Sequence, residues 1–274
     1  MSNRIDARLA ELAAQGRCGL VAFITAGDPA PELTVPAMHA LVKAGTDIIE
    51  LGMPFSDPMA DGPVIQRSSE RALSKGMNLR RTLACVSQFR ESDSTTPVVL
   101  MGYLNPIEHL GLAEFARQAA QSGVDGVLLV DCPVEELDTC GSLLRDQGLH
   151  QIFLISPTTS GDRVSQICAQ GQGFLYYVSL KGITGAGSLA TDAVAASLAE
   201  LKHQSTVPLA VGFGIKSAEQ AAALASAADA VVVGSALVER LADAIDVEQV
   251  EIAATAVLAP LRAALDQARR AAAA

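Results

Sequence analysis

In the stretch TDIIELGMPFSDPMADGPVIQ, Glu50 is followed by two more carboxylates, Asp57 and Asp61. Glu50 closes an apolar run, and the two aspartates follow in a loop crowded with proline and glycine. If the run is a strand, its alternation puts Ile49 and Leu51 on one face and Ile48 and Glu50 on the other. A carboxyl group at the end of such a strand is partly desolvated, which lifts its pKa toward the range useful for general acid–base work. A glutamate paired with a nearby lysine or arginine would look the same in sequence. Asp57-Pro58 and Asp61-Gly62-Pro63 are both turn signals. The functional alternative is a loop that folds Asp61 over a substrate held at Glu50.

Other chemistries leave weaker traces. Glycine-bearing stretches at KGITGAG (181–187), VGFGIKS (211–217) and VVVGSALV (231–238) follow apolar runs. Backbone N–H groups at Gly214, Gly234 and Ser235 could hold an anion such as phosphate without any cationic side chain. Glycine at a strand–helix corner can equally serve tight packing. Lys181 lies where a Schiff-base amine could act, but a loop position leaves it solvated, so covalent catalysis ranks below carboxylate catalysis. The histidines, His39, His109, His150 and His203, are scattered and do not make a metal site. Asp131 ends another apolar run and reads as a cap or ion-pair residue. Cys18, Cys85, Cys132, Cys140 and Cys168 are odd in number and lack C-x-x-C spacing, as free, mostly packed thiols of a reducing compartment would be.

The elements that must position these groups alternate regularly. Apolar, β-rich runs occur at 20–27, 46–52, 97–103, 125–131, 150–156, 174–180, 208–214 and 229–235. Their near-continuous hydrophobicity suits strands covered on both faces. Between them lie segments of helical period, such as Val35, Met38, Leu41 and Val42, or Leu112, Phe115, Ala116 and Ala119. Gly45, Gly123, Gly148 and Gly171 stand where left-handed residues would end helices. Eight such units at about 30 residues each predict one (β/α)8 barrel over residues 1–274. An open doubly wound sheet is the rival, but no G-x-G-x-x-G follows the first strand. Residues 2–16 read as an extra N-terminal helix, a short helix is expected from about Val64 and another after the eighth strand, and the alanines at 271–274 are expected to fray. In a barrel the chemistry belongs to the C-terminal strand ends, where Glu50 sits.

Half of the residues are apolar and the net charge is −10. That balance argues against nucleic acid as a partner. Charges at Arg4, Asp6, Arg8 and Glu11 break any signal-peptide core, and no apolar run is long enough to span a bilayer, so a soluble cytoplasmic protein is expected.

Six motifs, in order, are similar to one family. FITAGDP (23–29), DIIELGMPFSDPMADGPVIQ (47–66), LMGYLNP (100–106), DGVLLVDCPVEE (125–136), GITGAG (182–187) and GFGI (212–215) resemble the alpha subunit of tryptophan synthase. The resemblance runs from about residue 3 to 265. It implies a TIM-barrel lyase of tryptophan biosynthesis that cleaves indole-3-glycerol phosphate to indole and glyceraldehyde 3-phosphate. It places the family's catalytic carboxylates on Glu50 and Asp61. Phe23, Leu100, Tyr103, Tyr176 and Phe213 fall on positions lining the indole and glycerol pocket. Gly185, Gly214, Gly234 and Ser235 fall on the phosphate loops, and Thr184 in the loop after the sixth strand. Pro54 and Asp57 fall in the loop facing a beta subunit. The resemblance further implies no cofactor or metal in this chain, pyridoxal phosphate in the beta partner, and an α2β2 heterotetramer.

Overall fold

The computed structural model describes residues 3–136, 140–178, 187–212, 214–215 and 217–273, with the backbone alone for 187–191 and 271–273. Eight parallel strands close into a barrel in sequence order: β1 (Gly19–Thr25), β2 (Ile48–Gly52), β3 (Val98–Gly102), β4 (Gly126–Leu129), β5 (His150–Ile155), β6 (Leu175–Val178), β7 (Leu209–Gly212) and β8 (Ala230–Val233). Val21 pairs with both Ile48 and Val232, which closes the ring between β8 and β1.

Strand alternation sorts the core into two layers. Val21, Ile48, Val99, Leu128, Ile152, Ala210 and Val232 fill the barrel interior. Their neighbours Ala22, Ile49, Leu51, Leu100 and Val231 face the surrounding helices. Both layers are buried, which is why the runs read as continuously apolar rather than alternating.

The helices are α1 (Arg4–Ala14), α2 (Thr34–Lys43), α3 (Pro63–Ser74), α4 (Leu79–Arg90), α5 (Leu104–Leu110), α6 (Leu112–Ser122), α7 (Cys140–Asp146), α8 (Gly161–Gln170), α9 (Gly187–Gln204), α10 (Ala218–Ala225), α11 (Ser235–Leu241) and α12 (Val247–Ala273). The Asn3 side chain caps α1 by accepting from the Ile5 amide. Helix α1 then buries Ile5, Leu9 and Leu12 in the interior layer, stoppering the N-terminal end of the barrel. Thus β2 and β3 are each followed by two helices rather than one. The short helix expected from about Val64 is α3, which starts at Pro63, a residue preset for the first helical position, and runs 12 residues to Ser74. The alanine tail expected to fray continues α12 as far as Ala273.

Gly45, Gly123 and Gly148 have positive φ, as helix-ending glycines should. Gly171 does not: its φ is −55°, and it is small because a Cβ there would come within 3.0 Å of Val207.

A recurring tie sets strand register at the N-terminal face. Asp47, Asp125 and Asp229 each immediately precede a strand (β2, β4 and β8), and each accepts the amide at or near the start of the previous strand. The donors are Leu20 at 2.8 Å, Val98 at 2.8 Å and Leu209 at 2.9 Å. Cations neutralise all three: Arg8 and Arg262 on Asp47, Arg4 and Arg90 on Asp125, Lys202 and Arg269 on Asp229. The charge at this end of the barrel is therefore committed to structure.

Candidate active site

Glu50 is the third residue of β2, beside Phe23 of β1 and Val99 of β3. Its face is the interior one, shared with Ile48, so the side chain enters the barrel mouth. It is only 2% exposed, and Oε1 has no hydrogen-bond partner among the described residues. Burial, followed by the negative charge of Asp61, pushes its pKa up to about 8. A carboxyl group in that setting holds its proton at neutral pH and can both give and take one.

Asp61 arrives from above on the loop between β2 and α3. The Tyr103 hydroxyl donates to its Oδ2 at 3.1 Å and accepts the Ala60 amide at 3.1 Å. The ring of Phe55 lies 5.2 Å from that of Tyr103, and the Asp61 amide closes a turn onto the Pro58 carbonyl at 3.0 Å. Burial raises the Asp61 pKa and the Tyr103 hydrogen bond opposes the rise. The two acids share one site but sit in different environments: Glu50 Oε1 has no hydrogen-bond partner among the described residues, whereas Asp61 is held by Tyr103.

Both acids line one cleft of about 360 Å³ at the C-terminal end of the barrel. Its apolar wall is formed by Phe23, Ile65, Met101 and Tyr176, and its far end by Gly214, Gly234, Ser235 and Ala236. The latter end is where β8 passes into α11, whose first amides lack intrahelical acceptors. Two glycines make room for the aromatic rings. A Cβ on Gly52 would lie 2.7 Å from the Phe23 ring, and one on Gly212 would lie 2.5 Å from the Tyr176 hydroxyl. Burial, and then the nearby Glu50, keep the Tyr176 phenol protonated.

Of the sequence candidates, the structure gathers Phe23, Glu50, Asp61, Tyr176, Gly214, Gly234 and Ser235 around this cleft, with Tyr103 bound to Asp61. Leu100 requires correction. Counting along β3 places Val99 and Met101 inward, so Leu100 is buried among the helix-facing residues and Met101 lines the cleft. Pro54 is buried, whereas Asp57 is exposed and receives the Ser56 hydroxyl at 2.5 Å. Thr184, Gly185 and Phe213, and also Lys181, lie outside the described residues. Asp131 accepts the Leu104 amide at 2.8 Å, capping α5. His150 pairs with Asp6 at the opposite end of the barrel, and no three His, Cys, Asp or Glu residues gather as metal ligands among the described residues. All five cysteines are free, and all but Cys85 are buried.

Sequence reasoning missed Met101 and Ile65, which line the cleft, and Gly52 and Gly212, which make room for its rings. The parity of β3 could have found Met101. Nothing local marks the glycines, whose role depends on rings from neighbouring strands.

A family model described as tryptophan synthase alpha chain matches residues 9–266. The chain belongs to the tryptophan synthase alpha chain family. It is 58% identical to a tryptophan synthase alpha chain of Xanthomonas oryzae pv. oryzae, over 97% of this chain and 99% of the relative. Among solved structures it is similar to the alpha subunit from Legionella pneumophila str. Paris, with a TM-score of 0.91 and 48% identity over 97% of this chain and 100% of the other. A tryptophan synthase structure from Mycobacterium tuberculosis matches at TM-score 0.86 and 34% identity, covering 97% and 99% of the two chains. Membership in the family agrees with a parallel barrel whose mouth holds two carboxylates. Among the described residues no helix is long and apolar enough to cross a membrane.

Proposed function

We propose that this chain is a carbon–carbon lyase that cleaves indole-3-glycerol phosphate to indole and glyceraldehyde 3-phosphate by carboxylate acid–base catalysis. The observation that carries the reading is the buried Glu50, its Oε1 unpartnered among the described residues, facing the same cleft as Asp61. Glu50 delivers its proton to C3 of the indole ring. Positive charge then develops at the ring nitrogen, and Asp61 accepts the N–H hydrogen bond and stabilises that charge. The carboxylate left at Glu50 takes the proton of the hydroxyl on the adjoining glycerol carbon. The electrons of the O–H bond form the aldehyde carbonyl, those of the C3–C bond return to the ring, and indole leaves. Glu50 ends the cycle protonated, so the step balances without metal or imine.

The cleft suits the substrate from end to end. Phe23, Ile65 and Met101 offer an apolar wall for the indole, and the amides at Gly234 and Ser235 offer donors for the phosphate. Phe213, Thr184 and Gly185 belong to the same proposed pocket by their place in the family's motifs. The exposed Asp57 and Met59 form the face for a beta subunit, which would hold pyridoxal phosphate and take up the indole in an α2β2 assembly of the cytoplasm. Indole release from indole-3-glycerol phosphate, measured with and without the beta subunit, tests the proposal. Absence of indole in both conditions would overturn the lyase, and equal rates in both would overturn the partnership.

A further inference from the structure

The loop carrying Asp61 is held from a helix that takes no part in lining the reaction centre with its anchoring side chains. Gln66 lies in the first turn of α3, and its side-chain amide turns back to donate to the main-chain carbonyl of Asp61 at 2.9 Å. The same amide reaches the Pro58 carbonyl at 3.5 Å, across the turn that presents Asp61. Gln66 does not line the cleft, although Val64 and Ile65 beside it do.

The helix itself is seated on the loop after β1. Arg71 forms a two-pronged pair with Asp28, at 2.7 and 2.8 Å, and Asp28 is 5% exposed. One turn earlier, Ser68 and Thr25 share a hydroxyl hydrogen bond of 2.6 Å, and both are buried. The Lys75 ammonium donates to the Pro29 carbonyl at 2.5 Å. Gly27 sits so close that a Cβ there would come within 2.6 Å of Met77, just past the helix. The chain from β1 to Asp61 is thus continuous: Asp28 to Arg71, along α3 to Gln66, and from Gln66 to the Asp61 main chain. Tyr103 holds the carboxylate and Gln66 holds the backbone behind it, which fixes the direction in which that carboxylate points.

We propose that Gln66 is a positioning residue for Asp61, acting from a helix that the Asp28–Arg71 pair keeps in register with β1. The proposal rests on the assignment of Asp61 to the reaction. Its test is a double-mutant cycle in the full chain, read as indole release from indole-3-glycerol phosphate, with Gln66→Met removing the donor at nearly constant length. In the parent background kcat is expected to fall about tenfold, the worth of one hydrogen bond of roughly 1.4 kcal/mol, with KM changed by less than about twofold. In an Asp61→Asn background the same substitution is expected to change kcat by less than about twofold, because the group it positions has gone. Asp28→Asn is expected to give the same pattern at a smaller size, and it decides the matter should Gln66→Met fail to fold. Unchanged kcat in the parent, or an equal loss in both backgrounds, overturns the proposal. A fully active Asp61→Asn variant would instead overturn the role of Asp61 itself.

Discussion

The Tyr103 hydroxyl binds the Asp61 carboxylate at 3.1 Å while accepting the Ala60 amide, so one phenol holds both the side chain and the backbone of the loop. Phe55 stacks beside its ring and keeps it in place. Tyr103→Phe removes the donor and keeps the packing. Losing a hydrogen bond to a charged group is expected to lower kcat about ten- to a hundredfold, at roughly 1.5–3 kcal/mol. The Asp61 pKa should rise as well, since that bond holds it down. Steady-state indole release across pH would show both effects.

Glu50→Gln leaves the shape of the mouth and removes the transferable proton. Indole release is expected to fall by several orders of magnitude, as measured in single-turnover assays, with substrate affinity retained.

Stability should respond in the opposite direction. Burial raises the Glu50 pKa from 4.5 in the unfolded chain to about 8 in the folded one. The cost of ionising it in the folded protein is therefore absent below pH 4.5, grows as pH rises, and is complete above about 8. Glu50→Gln has no such cost. Comparing urea unfolding of the two proteins at pH 5 and pH 9 should show the variant gaining on the parent at the higher pH.

The same displacement shapes the rate. A reaction that begins with proton delivery from Glu50 is expected to lose kcat/KM as pH climbs through about 8. Asp61→Asn removes the neighbouring negative charge, so the alkaline limb of the variant's residual activity should move to lower pH.

At the other end of the barrel, Asp125→Ala should cost stability and not chemistry. It takes from Arg90, which is 11% exposed, the carboxylate at 2.9 Å, leaving that guanidinium the Gly123 and Thr96 carbonyls and the more distant Asp93, and it frees the buried Val98 amide. Breaking a buried pair of this kind costs about 3–5 kcal/mol. Guanidinium unfolding would measure the loss, while kcat of the folded fraction should be unaltered.

The barrel was legible because doubly covered strands write themselves as unbroken apolar runs, and eight of these alternate with helical segments. The acid pair was legible too: Glu50 by its place on β2, and Asp61 by family motif. What escaped depends on contacts between distant segments. Leu100 and Met101 are adjacent apolar residues of one motif, and only strand parity tells which of them faces the cleft. Gly52 and Gly212 look like ordinary strand-end glycines until the rings of Phe23 and Tyr176 are seen to lie against them. Gly171 resembled a helix stop because a crowded corner and a left-handed turn both select glycine. Gln66 reads as one more polar helix residue, and only its backward reach to Asp61 distinguishes it.

The three aspartate ties bear on how such a closed ring can assemble. Each joins strands adjacent in sequence, β1 to β2, β3 to β4 and β7 to β8, across only 27, 27 and 20 residues. Immediately before β6, where a fourth would fall, stands Phe174, which is buried in the interior layer and carries no carboxylate. A chain so built has three short, separately latched strand pairs, each able to find its alignment with little loop-closure entropy. The unlatched β5–β6 quarter is left to take its register from its neighbours, and it is the natural place for the ring to close last.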